Sequence, residues 1–228
     1  MTPGPLAELK TGWWSFSLPG YREHPKITSY SLFPFDDLPP LEAHVDVNWR
    51  WLQAQPVHEQ WSLAENGYPD GSKANLSQLG ALLDKTPFAL PPEFTTFMES
   101  PSLHNRIRSC TACLLELSDI PVFTSAPPDG VIIQFLVDQQ SVLRWHLFAD
   151  AQGRQAVLVS GEIYGLIYDP IELPRNQIDL FQEEFWLCAP SFSDFIVRFW
   201  LENEIWFTLF EGKQPATGQQ RAYLNHYR

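Results

Sequence analysis

From Phe192 to Phe210 the chain reads FSDFIVRFWLENEIWFTLF. At 100° per residue, Phe192, Phe195, Ile196, Phe199, Trp200, Trp206, Phe207 and Phe210 share one broad face. Asp194, Arg198 and Glu202 fall on another, spaced i, i+4, i+8, a pattern expected of a solvated surface. Ser191 followed by Asp194 supplies a cap and an acid for the first turn, so the spacing predicts a capped helix over 192–209. Asn203 interrupts the aromatic face. A buried amide without partners costs about 1–3 kcal/mol, so Asn203 is expected to be tied to a neighbouring strand or loop, or else to meet a ligand.

Elsewhere the period changes. Ala43, Val45, Val47, Trp49 and Trp51 alternate with His44, Asp46, Asn48 and Arg50, which predicts a half-buried strand over 43–51. Helices are expected over 56–66, stopped at Gly67, and over 76–83, capped by Asn75. After Pro91-Pro92, Phe94, Phe97 and Met98 form a short helical face, which Pro101 breaks before a further turn over 103–107. Strand-like runs follow at 110–117, 131–137, 143–148, 156–159 and 184–187. Short connections at 138–141 and 149–155 imply antiparallel neighbours, because a parallel pair needs a crossover. The expected architecture is α+β: an antiparallel β-meander sheet packed by helices, with the aromatic helix closing across it. The first forty residues carry Trp13-Trp14, Phe33, Phe35 and Pro39-Pro40, which suggests an irregular arm packed on the body. The expected division is a Trp/Pro-rich region over 1–88, an α+β core over 89–212 and a polar tail over 213–228.

Of 228 residues, 44% are hydrophobic and 18% charged, which excludes a wholly disordered chain. The net charge of −12 disfavours nucleic-acid binding, which needs cations facing phosphates. Ten of the 27 acids lie between Val157 and Glu211, opposed there only by Arg175 and Arg198, so an acidic surface is expected in that region, one that serves solubility or else speeds encounter with a basic protein. No run approaches the ~20 apolar residues that cross a bilayer, and no signal-peptide core opens the chain, so cytoplasmic residence is the expectation.

Conventional chemistry is sparse. Cys110 and Cys113 form the motif CTAC, which in a thioredoxin-like site should open a helix. Here it leads into Leu114-Leu115-Glu116-Leu117; on a strand the two sulfurs would point to opposite faces, so buried structural thiols are expected. Zinc would need two further ligands, and Cys188 with His104 or His146 form no recognised pattern, so no metal or cofactor is assigned. His58-Glu59 begins like a zincin motif, but Ser62 stands where the second His belongs. There is no G-x-S-x-G elbow, phosphate loop or dinucleotide fingerprint, and no catalytic residue is assigned. The pairs Glu183/Glu184 and Glu202/Glu204 diverge on a strand or helix and do not converge on one substrate bond. Trp49, Trp51 and His58 are the candidates for a small-molecule or glycan groove in the Trp-rich half, against a core role for the tryptophans.

The segment Leu90-Pro91-Pro92-Glu93-Phe94-Thr95-Thr96-Phe97-Met98 resembles the LP-x-x-[FY]-x-x-F-[ML] helix that opens domains of the SUKH superfamily, the Smi/Knr-like proteins. Ser191-Phe192-Ser193-Asp194-Phe195-Ile196 resembles the closing S-F-x-x-F-[IL] helix of that family. The resemblance spans 88–210, and departs from the family where Glu99-Ser100-Pro101-Ser102 replaces an acidic, Gly-rich continuation. It implies a non-enzymatic α+β module that binds other proteins, many relatives being cytoplasmic immunity proteins that block a bacterial toxin, often a nuclease. An acidic protein suits a toxin that is basic where it grips phosphates, and Glu183, Glu184, Glu202 and Glu204 are the candidate partner-binding residues.

Overall fold

Strands buried on both faces read as continuous apolar runs, because neither face needs polar side chains for water. Residues 130–137 nearly do so, interrupted only by Gln134, and every residue of 130–137 and of 144–150 is buried, the latter carrying Arg144, His146 and Asp150 inside. The structure, a computed structural model, describes residue 6 and residues 8–23, 29–41, 47–65, 69–124, 129–161, 177–180, 184–213 and 217–228. In chain order the strands are β1 (Lys10–Thr11), β2 (Trp13–Ser15), β3 (Ser31–Phe33), β4 (Leu114–Leu115), β5 (Val122–Thr124), β6 (Gly130–Val137), β7 (Arg144–Asp150), β8 (Gln155–Ser160), β9 (Gln177–Ile178) and β10 (Trp186–Ala189). The helices are α1 (Arg50–Gln53), α2 (Pro69–Leu83), α3 (Pro92–Met98), α4 (Pro101–His104), α5 (Phe192–Phe210) and α6 (Gly218–Asn225).

The molecule is α+β. Its main sheet runs β1-β10-β8-β7-β6-β5-β9, with β4 also paired to β6. The pairs joining β6 to β7, β7 to β8, β8 to β10 and β5 to β6 are antiparallel; β1 with β10 and β5 with β9 are parallel. Two buried aspartates shape the hairpins. Asp138 Oδ1 accepts the N–H groups of Val142 and Leu143 at the β6–β7 turn, and Asp150 Oδ1 those of Gln152 and Arg154 at the β7–β8 turn.

Alternation along the strands separates two apolar layers. Val131, Ile133, Phe135, Trp145, Leu147, Val157 and Val159 face the main core, where Phe192, Phe195, Ile196 and Phe199 of α5 pack. Ile132, Phe148, Ala156 and Leu158 face a second cluster with Leu6, Leu9, Ile178, Leu180 and Phe185. Helix α5 begins as its sequence predicts, with Ser191 Oγ accepting the Asp194 N–H at 3.0 Å.

Several expectations are corrected. The strand over 43–51 is not formed in its described part: residues 47–48 turn, Trp49 takes a left-handed backbone (φ 56°) and 50–53 are helical, while 42–46 lie outside the described residues. Alternation alone cannot register that backbone reversal. No helix forms over 56–65, because that segment bonds to the chain after α4: His58 N–H to Asn105 O, Leu63 N–H to Ile107 O and Ser109 N–H to Trp61 O. Residues 66–67 of that expectation lie outside the described set. Asn75 is inside α2 rather than its cap, and its Nδ2 donates to Leu117 O. The helical face does end before Pro101, at Met98, but the further turn begins at Pro101 itself rather than at 103, as the first turn tolerates a missing N–H. The 110–117 strand shrinks to 114–115, since 109–112 turn and Ala112 has φ 51°. Part of the arm read as irregular forms β1, β2 and β3, with β1 completing the main sheet beside β10.

Candidate functional site

The last turn of α5 carries Trp206, Phe207 and Phe210. Trp206 is half-buried, Phe207 is buried, and Phe210 is 72% exposed, so the aromatic face ends in the open. Opposite it lies the irregular segment 57–61, fixed by the hydrogen bonds that deny it a helix. Arg106 Nη1 adds a bond to Gln55 O. Between the two walls is a cleft of about 580 Å³, floored by Arg108 and Cys110. Val57 (58% exposed) and Trp61 (51% exposed) form its rim with Phe210.

Trp61 adopts φ 63°, a left-handed conformation that costs a bulky L-residue about 1–2 kcal/mol. Two contacts hold it there: its N–H donates to Glu65 Oε2 at 2.5 Å and its carbonyl accepts from Ser109 N–H at 2.8 Å. The side chain meets Phe207 at 6.4 Å between ring centroids, yet half of it stays in solvent. Strain with only partial burial at the mouth of a cleft is the arrangement expected of a contact residue.

The floor is an ionic cluster. Arg108 forks onto Glu204, Nε to Oε1 at 2.9 Å and Nη2 to Oε2 at 2.6 Å, while its guanidinium carbon lies 4.1 Å from the Phe207 ring centroid. Nη1 reaches Glu211 Oε1 at 3.5 Å, and His58 Nε2 lies 3.4 Å from Glu204 Oε1. Burial alone would raise the Glu204 pKa; the contacts from His58 and Arg108 outweigh it and hold the carboxyl below its ordinary value. Cys110 is not an activated thiol, because burial first, then Cys113 and Glu202, push its pKa well above the ordinary value.

The sequence candidates scatter. Glu202, read as solvated, is 0% exposed, because Trp13, Ser15, Arg22 and Tyr223 of α6 close over its carboxylate. Its carboxylate accepts from Trp13 Nε1 (2.8 Å), Ser15 Oγ, Arg22 Nη1 (2.5 Å) and Nη2 (2.9 Å), and Tyr223 OH (2.5 Å). It therefore has no surface to offer a partner. Arg198, expected beside it in water, instead donates to Tyr223 OH and Pro39 O. Glu204 lies at the cleft floor, already paired. Glu184 is exposed, but it precedes Phe185, which packs in the second cluster on the other face of the sheet from α5. Glu183 lies outside the described residues.

Trp49 is 0% exposed: its ring packs on Phe97 and Phe192, and its Nε1 donates to Glu93 O. Trp51 packs on Trp200 at 5.2 Å. Neither lines the cleft, so of the proposed aromatic groove only His58 lies there. Asn203 is a structural tie: its Oδ1 accepts the Cys110 N–H at 2.7 Å and its Nδ2 donates to Phe199 O at 2.8 Å. Cys113 is buried beside Tyr30 and Thr111, and all three cysteines are free. Among the described residues no three His, Cys, Asp or Glu side chains gather as a metal site, and no helix is long and apolar enough to cross a membrane.

Sequence reasoning missed Trp61 and Arg108, which carry no motif and lie in segments joined only by tertiary hydrogen bonds. Phe210 did carry a signal: it is the last residue of the aromatic face of α5. Comparison of the chain with family models, with curated proteins and with solved structures finds no match in any of the three.

Proposed function

We propose that this chain is a non-enzymatic protein-binding module, SUKH-like in its succession of antiparallel strands and closing helix, that acts as an immunity protein against a basic toxin of the nuclease kind. The observation that carries the reading is Trp61, held half in solvent on a left-handed backbone beside the exposed Phe210. Exposed aromatics around a concavity with charged residues beneath are the usual anchors of protein interfaces. The absence of an activated nucleophile on the cleft floor, where the thiol of Cys110 is kept protonated, favours binding over catalysis. The acids offered to a partner are the exposed Glu59 and Glu211 at the cleft rather than the buried Glu202.

The test pairs the purified chain with a nuclease toxin encoded beside it and measures complex formation by calorimetry and nuclease activity in parallel. The expected result is a tight complex, loss of nuclease activity and an affinity that falls as salt rises. Trp61→Asn and Phe210→Ser should each weaken binding by about tenfold or more without lowering Tm, since Asn tolerates the left-handed backbone and Phe210 is on the surface. Undiminished nuclease activity under saturating chain, or affinity unchanged in both variants, overturns the reading.

A further inference from the structure

At two places on this molecule a guanidinium rests on an aromatic ring and is paired to a carboxylate. Arg22 lies 4.0 Å from the Phe33 ring centroid and is bonded to Glu202; Arg108 lies 4.1 Å from the Phe207 centroid and is forked onto Glu204. At the cleft rim Phe210 and Glu211 adjoin and set a ring beside a carboxylate in the same way. The Phe210 ring is stacked on Trp206, with centroids 4.8 Å apart and planes at 10°, so one face is occupied and the other is open to solvent. Among the described residues no guanidinium lies over Phe210. Glu211 is held by Lys213 Nζ at 2.5 Å and touched by Arg108 at 3.5 Å; Lys213 is largely exposed, so its bond exchanges readily for another cation.

Charge points the same way. Glu59 and Glu211 line the cleft and are exposed, whereas Arg108, its one full-time cation among the described lining residues, has its charge returned by Glu204. A planar cation with an apolar stem matches both surfaces: the stem lies along Trp61 and Val57, the plane on Phe210 and the N–H fork on Glu211. Resting on the reading of the cleft as a protein-binding surface, we propose that its occupant is an arginine side chain of the partner, flanked by apolar residues and seated between Trp61 and the Trp206/Phe210 stack.

The probe is a short peptide with a central arginine between leucines, compared with the same peptide carrying citrulline, the neutral isostere, or glutamate. Binding is followed on the full chain by NMR shifts of the Trp61 and Trp206 indole N–H groups. The arginine peptide is expected to shift both and to bind about tenfold or more tightly than the citrulline peptide. Phe210→Ala and Glu211→Gln should each weaken it several-fold, with Tm unchanged as the check that both variants fold. Equal or better binding of the citrulline or glutamate peptide overturns the arginine assignment while leaving a protein-binding cleft. Failure of all three peptides at millimolar concentration also overturns it, and the toxin complex then decides the broader reading alone. A homodimer of the chain that Phe210→Ala dissolves would overturn it by assigning the patch to a second copy.

Discussion

Glu202 carries a full charge inside the molecule, and five N–H or O–H donors converge on it. Burial alone would raise its pKa; the Arg22 charge and the hydrogen bonds from Arg22, Ser15 and Tyr223 reverse that, so the group stays ionised and its pKa lies below the ordinary carboxyl value. Such a pair is a strong constraint and a weak source of net stability, since desolvating both ions opposes their attraction. Glu202→Gln keeps the shape but turns one oxygen into a donor facing donors, and leaves Arg22 without its counter-ion. The expected loss is about 3–5 kcal/mol in urea unfolding. Arg22→Met combined with Glu202→Leu should recover much of it, as no buried charge remains. A loss below about 1 kcal/mol in the single variant would mean that solvent reaches the pair. Trp61 is the opposite case, a local conformation held against its own preference with only half of the residue buried in return.

Among elements, β6 and β7 show how backbone proximity limits side-chain choice. Gly130 pairs with Asp150 at the start of β6, and a Cβ there would stand 2.4 Å from Phe148 Cε2 and 2.9 Å from Ala149 O. The ring is fully buried in the second cluster and the carbonyl belongs to the ladder, so neither yields easily. Gly130→Ala should therefore destabilise by about 1–3 kcal/mol, read from the denaturation midpoint. An unchanged midpoint would show that Phe148 has another rotamer available. Helix α5 is the other controlling element. Its capped start and its sheet-facing aromatics were legible from spacing, but the reading assumed one dry face. The helix is buried nearly all round, covered beyond the sheet by β2, Arg22, Pro39 and α6, and so Asp194, Arg198 and Glu202 do not form a solvated stripe.

The molecule as a whole should be acid-sensitive. Burial lowers the pKa of His104 to about 4, against a bond to Phe97 O, and that of His146 to about 3, with Arg144 adding to the effect. Both are neutral when folded and titrate near 6.5 when unfolded. Below pH 6.5 the unfolded chain thus binds more protons, and stability falls as pH drops through the window down to about 4 for His104 and about 3 for His146. Each should remove about 2 kcal/mol between pH 7 and pH 5. Glu202 and Glu204, with depressed carboxyl pKa values, contribute stability above pH 4.5 that is lost at lower pH, so their effect comes after the histidines. Urea titrations at pH 7, 6 and 5 should show this decline, roughly halved in His146→Gln. A flat profile would mean that neither ring is shielded from protonation.

Local periodicity by itself determined the sheet-facing side of α5, its Ser191 cap, the three central strands and their antiparallel order, because each rests on residues close in sequence joined by short turns. It could not determine which second surface would cover α5. Trp13, Ser15 and Arg22 lie some 180 residues from Glu202, and nothing in a helical projection distinguishes an acid that meets water from one that meets a buried guanidinium. The cleft is likewise a product of tertiary structure. Segment 57–61 has no periodicity of its own, and it faces Phe210 only because its backbone bonds to residues 105–109 while Asn203 anchors Cys110 to α5.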